Sequence, residues 1–152
     1  LINGLKKLEY RGYDSSGIMI YKEKKLVKKT KGKVADLENL FTNSNEKKGN
    51  IGIGHTRWAT HGPPNKTNSH PHTSNSGEIT LVHNGIFENY DSIKKVLIKK
   101  GYIFHSETDS EVLVNLIEDV IKTKKVKLFF FTNYKLILPM FQKVQYRFHL
   151  DQ

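Results

Sequence analysis

Eight consecutive residues, His55-Thr56-Arg57-Trp58-Ala59-Thr60-His61-Gly62, gather a guanidinium, two imidazoles, an indole and two hydroxyls. They follow the apolar run Ile51-Gly52-Ile53-Gly54, so a short strand is expected to deliver them to a loop. Arg57 offers a planar fork of donors that matches a carboxylate or phosphate. Asp109 stands at an expected helix start, where its negative charge is stabilised and where it can accept from an ammonium group. One cation and one anion facing a common pocket would hold both ends of an amino-acid zwitterion. The same pair could instead form a salt bridge and a helix cap. Asn84-Gly85, after Ile79-Thr80-Leu81-Val82, has two uses as well. It is the commonest type I′ hairpin turn. Its side-chain amide and backbone N–H are also both donors, able to hold an oxyanion formed in acyl transfer.

Histidines at 55, 61, 70, 72 and 83 raise a metal site, with His70-Pro71-His72 the closest pair. No cysteine and no helical His-x-x-x-His accompanies them, so hydrogen-bonding loop histidines are the favoured reading. Trp58 reads as a core or lid aromatic before a ligand stack.

The elements that must position these groups are legible in outline. Leu1, Ile2, Leu5 and Leu8 share one helical face, and the helix should close at Arg11-Gly12 with glycine in a left-handed cap. Residues 17–21 and 26–29 read as a hairpin around Lys22-Glu23-Lys24. Val34, Leu37, Leu40 and Phe41 predict a second short helix, followed by a polar loop over 42–50. A strand at Ile51 leads into a long irregular region, 55–78, whose His, Arg, Trp, Thr and Asn content favours function. A strand over 79–83 and a helix carrying Ile93, Val96 and Leu97, capped by Asn89 or Asp91 and closed by Gly101, come next. A short strand over 102–104 precedes the last helix, capped by Thr108 or Asp109. Its apolar stripe is Val112, Leu113, Leu116, Ile117, Val120 and Ile121.

A chain of 152 residues suits one domain with a real core. No apolar run is long enough to cross a bilayer and no secretory leader is visible. Zero cysteines excludes disulfides and thiolate metal sites and suits a cytoplasmic protein. The net charge of +10 invites nucleic acid, yet residues 122–152, with seven basic residues and one acid, hold +6 of it. That basic, aromatic tail reads as a linker and hairpin, and a strand binder acting through stacking is disfavoured.

The runs Leu8-Glu9-Tyr10-Arg11-Gly12-Tyr13-Asp14-Ser15, His55 to Gly62, His70-Pro71-His72, His83-Asn84-Gly85 and Ser106-Glu107-Thr108-Asp109 resemble, in order and spacing, the glutaminase domain of the glucosamine-6-phosphate synthase family. These are class II, N-terminal-nucleophile amidotransferases that pass ammonia from glutamine to fructose 6-phosphate. The resemblance implies an α+β fold, a four-layer αββα sandwich of two antiparallel sheets flanked by helices, incomplete at the N-terminus and in the C-terminal strands. It implies L-glutamine held by Arg57 (α-carboxylate) and Asp109 (α-ammonium), with Asn84 and Gly85 as the oxyanion hole. Trp58, Thr60 and His61 would shape the pocket, and Arg11 and Gly12 would lie beside the nucleophile. No cofactor is implied, and the full-length enzyme would be a cytoplasmic homo-oligomer. The family's nucleophile is an N-terminal cysteine, which this chain lacks, and its first residue is Leu1. The expectation is therefore a truncated fragment, without glutaminase turnover, whose family region is 1–121 and whose 122–152 tail is an unrelated or out-of-frame continuation. A non-catalytic amino-acid-binding remnant is the alternative.

Overall fold

The computed structural model describes residues 1–59 and 62–124. Thr60 and His61, and the tail from 125 onward, lie outside the described residues.

Helix α1 (Ile2–Leu8) runs into a 3₁₀ turn (Glu9–Arg11). Strands β1 (Ser15–Tyr21) and β2 (Lys25–Lys31) form the expected antiparallel hairpin. Helix α2 (Val34–Asn39) and a 3₁₀ turn (Ser44–Lys47) lead to β3 (Ile51–Arg57), which pairs antiparallel with the other side of β1. The sheet order is therefore β2-β1-β3.

Strand periodicity then decides what each face carries. One face presents Ile18 and Ile20, which with Leu5, Val34 and Leu37 make the apolar core beneath α1 and α2. The other face presents Gly17 in register with Lys29 on one side and His55 on the other, and one pair along, Ser15 with Lys31 and Arg57. Over this second face runs the 68–72 segment. Its His70 carbonyl lies where a Cβ on residue 17 would have to be, so only glycine admits the approach.

A second antiparallel sheet joins β4 (His72–Thr73) to β5 (Thr80–Leu81). Helices α3 (Tyr90–Lys99) and α4 (Asp109–Lys124) pack against one another, and α4 also covers the small sheet. The protein is thus α+β with two antiparallel sheets and helices against them, as the sequence implied.

Several local expectations change. The strand at Ile51 does not end at Gly54; pairing with β1 carries it through Arg57, so the arginine is strand-borne rather than loop-borne. Gly12 is extended (φ −174°), not left-handed, and its role is proximity: a Cβ there would come within 2.7 Å of the Arg57 backbone carbonyl carbon. The 79–83 strand shrinks to two residues. Residues 102–104 form no strand, because both backbone groups of Ile103 are taken by the Asn75 side-chain amide: Ile103 N–H donates to Oδ1 (2.7 Å) and Nδ2 donates to the carbonyl (2.7 Å).

Helix α4 is rotated from its expected stripe. Its deepest residues include Glu111, Asn115 and Glu118 beside Val112 and Val114, while Leu113, Leu116, Ile117, Val120 and Ile121 are half-buried. The reason is the surface it meets. The turn after β4 and the 105–106 backbone present N–H groups that need acceptors. Asn115 Oδ1 accepts from Asn75 N–H (2.9 Å), Glu118 from Ser76 N–H (3.2 Å), and Glu111 from His105 (2.9 Å) and Ser106 (2.6 Å).

Candidate functional site

The second face of the large sheet, the loop after β3, the segment after β5 and the start of α4 converge on a cavity of about 200 Å³. Its wall includes His55, Arg57, Trp58, His70, His83, Asn84, Gly85, Ile86, Thr108, Asp109 and Ser110. That volume is on the scale of one amino acid, a handful of water volumes.

Arg57 is 4% exposed. Its Nη2 donates to the Gly62 carbonyl (3.3 Å) and Nη1 to the Pro63 carbonyl (3.5 Å), so the returning loop forms a cradle for the guanidinium. Burial lowers its pKa, and the negative charges of Asp14 and Asp109 oppose that shift. Asp14, which the sequence reading gave no role in the site, belongs to this cluster. Its carboxylate accepts from Ala59 N–H and from Ser15 Oγ (2.9 Å), and its own N–H donates to the Arg57 carbonyl (3.2 Å), so it clasps both sides of the arginine.

Asp109, also 4% exposed, sits on the first turn of α4, where the helix dipole favours its charge. It is not the cap. Thr108 Oγ1 accepts from Glu111 N–H (3.3 Å) and so satisfies the helix start, leaving the Asp109 carboxylate on the cavity wall. There its Oδ2 accepts from Phe87 N–H (2.8 Å). This bond ties the Asn84–Gly85 segment to the acid. Both residues are exposed and line the cavity, and no returning strand follows them. Positive φ is taken by Gly32, Gly62, Gly77 and Gly101 and not by Gly85, which excludes the type I′ hairpin turn. The His83 ring packs in its place, with Nε2 2.9 Å from where a Gly85 Cβ would stand.

The remaining sequence candidates divide. Trp58 is 59% exposed at the mouth, edge-on to Tyr13 with ring centroids 5.2 Å apart. Gly12 is buried against the Arg57 backbone, whereas Arg11 is exposed and does not line the cavity. Thr60 and His61 lie outside the described residues.

Three of the histidines pack on each other. His55 and His70 rings lie 4.3 Å apart and His70 and His72 4.8 Å apart; among the described residues no group of three His, Cys, Asp or Glu could hold a metal. Burial pushes all three down, to about 4 (His55), about 2 (His70) and about 3 (His72), so they are neutral at pH 7. His72 Nε2 meets Thr108 Oγ1 at 3.0 Å. The Nδ1 atoms of His55 and His70 are buried and make no hydrogen bond within the described residues, an arrangement that favours a polar occupant.

Residues 24–128 match the family profile described as a glutamine amidotransferase domain. The chain belongs to that family. Within it, the chain is 55% identical over 120 residues to a glutamine–fructose-6-phosphate aminotransferase (isomerizing) of Pyrococcus horikoshii, an alignment covering 78% of this chain and 20% of the relative. It is 54% identical over 130 residues to the enzyme of that name from Bacteroides thetaiotaomicron, covering 84% and 21%. The chain thus spans about one fifth of the length of these curated relatives. Among solved structures, it superposes on a B. subtilis glutamine phosphoribosylpyrophosphate amidotransferase complexed with ADP and GMP, with a TM-score of 0.62, 33% identity and coverage of 77% of this chain and 26% of that one. A structure described as the allosteric regulatory enzyme of purine biosynthesis gives a TM-score of 0.64 at the same identity and coverage. The chain therefore shares the fold of these amidotransferases over about 77% of its length.

Proposed function

We propose that this chain supplies the glutamine-binding part of an amidotransferase of the fructose-6-phosphate type. The observation that carries the reading is the shared cavity wall: Arg57 and Asp109 face one small polar space with Asn84 and Gly85 beside them. A free amino acid answers each group. Its α-carboxylate pairs with the guanidinium fork, and its α-ammonium with the Asp109 carboxylate. Its side-chain amide then points toward the 84–85 donors, where an oxyanion formed on attack at the carbonyl would be stabilised. Trp58 would close the mouth, and Gly12, packed against the Arg57 backbone, would stand on the side from which a nucleophile approaches; the roles the resemblance gives Thr60 and His61 fall outside the described residues.

The sequence contains no cysteine, so no thiol within these 152 residues can attack the amide. The chain on its own is therefore expected to hold glutamine without hydrolysing it. In the larger enzyme the released ammonia would pass to fructose 6-phosphate, in keeping with the names of the relatives above. We assign residues 1–121 to the amidotransferase part, a homo-oligomeric cytoplasmic enzyme in its full-length form. Among the described residues no helix is long and apolar enough to cross a membrane.

Calorimetry with L-glutamine tests the proposal. Binding by the intact chain is expected, with affinity reduced about 100-fold or more by Arg57→Ala and by a similar factor in Asp109→Asn, since each removes one buried charge-assisted contact. Equal binding by both variants would overturn it.

A further inference from the structure

We infer that Asn68 is a positioning residue that sets the separation between Arg57 and Asp109. This inference deepens the amino-acid-clamp reading above and rests on it for the identity of the ligand. Asn68 is 1% exposed, and its side-chain amide bonds to backbone groups beside each charge. Its Nδ2 donates to the Pro63 carbonyl (3.0 Å), the same carbonyl that accepts from Arg57 Nη1. Its Oδ1 accepts from Glu107 N–H (3.1 Å), two residues before Asp109. One planar amide thus spans from the arginine's cradle to the start of α4. Nothing else in the described loop bridges those two segments with a single side chain.

The two partners also fix the orientation of the amide. A carbonyl can only accept and an N–H can only donate, so the Asn68 nitrogen must face Pro63 and the oxygen must face Glu107. Aspartate would supply only the second half, and leucine neither. Asn68 is itself held rigid, because its backbone N–H donates to Asn65 Oδ1 (2.7 Å). Lys29 Nζ donates to the neighbouring Thr67 carbonyl (3.1 Å), and Ser69 Oγ meets the Thr30 carbonyl (3.3 Å), so the segment is anchored to β2 on either side of it.

Gly62 completes the argument. It takes φ +73°, and a Cβ on it would lie 2.6 Å from Asn68 Nδ2 and 3.0 Å from Glu107 Cβ. Its carbonyl also accepts from Arg57. The loop backbone, the Asn68 amide and the residue before the α4 cap are therefore packed without slack. A change at Asn68 must move the guanidinium relative to the carboxylate.

The experiment uses the whole ¹⁵N-labelled chain, L-glutamine as the titrant, and three variants: Asn68→Ala, Asn68→Asp and, as a control, Asn115→Ala. Asn115 is also fully buried and bonded to a loop, but its partners lie away from the cavity. Asn68→Ala is expected to lower glutamine affinity tenfold or more and to speed exchange of the Glu107 amide by a similar factor. Asn68→Asp keeps an acceptor for Glu107, so that amide stays protected while affinity still falls tenfold or more; it serves alone should the alanine variant not fold. Asn115→Ala is expected to lower the denaturation midpoint yet bind glutamine within twofold of the parent. Binding within twofold by both Asn68 variants, or a loss as large in Asn115→Ala, overturns the inference. If the parent chain binds no glutamine, the amino-acid reading fails by itself. The coupling is then decided without ligand: paired shifts of the Arg57 Nε–H and Glu107 N–H resonances in Asn68→Ala support it, and unchanged resonances overturn it.

Discussion

The two faces of the large sheet are packed by opposite means. Beneath α1 and α2, Leu5, Ile18, Ile20, Val34 and Leu37 form an apolar core. Across the sheet, the space toward α4 is filled with buried polar groups: Asn68, Ser69, His70, His72, Ser106, Thr108, Glu111, Asn115 and Glu118. Apolar packing is non-directional and tolerates repacking, whereas each buried polar group needs a partner at a fixed distance and angle. The first half can therefore supply stability and the second half geometry, and the cavity opens in the second.

Acid should separate the two halves most strongly. His55, His70 and His72 titrate in the fold at about 4, 2 and 3, far below the ordinary 6.5. The unfolded chain therefore takes up protons at higher pH than the folded chain does. Stability is full well above 6.5 and is lost as pH falls from there through the folded values, by about 3 kcal/mol for each histidine between pH 7 and 4. Urea titrations across that range measure the loss. Hydrogen exchange should show amides of residues 67–77 and α4 losing protection before those of β1 and β2; simultaneous loss would break the contrast.

Leu37, fully buried, tests the other side. Leu37→Ala should cost about 3 kcal/mol through the cavity it leaves, by the same amount at pH 7 and pH 5. A smaller and more specific loss, about 2 kcal/mol, is expected for Glu111→Gln. That carboxylate accepts from His105 N–H, Ser106 N–H and Ser106 Oγ at once, and an amide cannot accept with both ends. Its midpoint shift should come with faster exchange of the 105 and 106 amides. At the bottom of the scale, Glu38 on the surface of α2 is paired with Lys6 and Lys47, and Glu38→Ala should leave the denaturation midpoint unchanged within error.

The apolar half was the more legible from sequence. The helical spacing of Leu5 and of Val34 and Leu37, with the hairpin read over 17–21 and 26–29, gave the elements that enclose that core. Arg57, Asp109 and Asn84–Gly85 were recognisable as a group because unusual donors and an acid each follow a strand or open a helix. What pattern could not show was polar burial. The stripe through Leu113 and Ile117 is the hydrophobic maximum of α4, yet Asn115 and Glu118 point deeper, since unpaired N–H groups of a distant turn decide the rotation. The 102–104 strand failed for a related reason: a single asparagine side chain stands in for the neighbouring strand. Asn68 and Asp14 carried no local signal beyond their type, and only their long-range partners reveal them.

The meeting of Gly17 with the His70 carbonyl has a wider bearing. Here main chain rests on main chain, with no side chain serving as a shim. The loop that carries the histidines is thus referenced to the central strand of the large sheet, much as a lens is seated on a machined shoulder. Sequence drift in the hydrophobic interior can then weaken or strengthen the protein while what fits above the sheet stays the same.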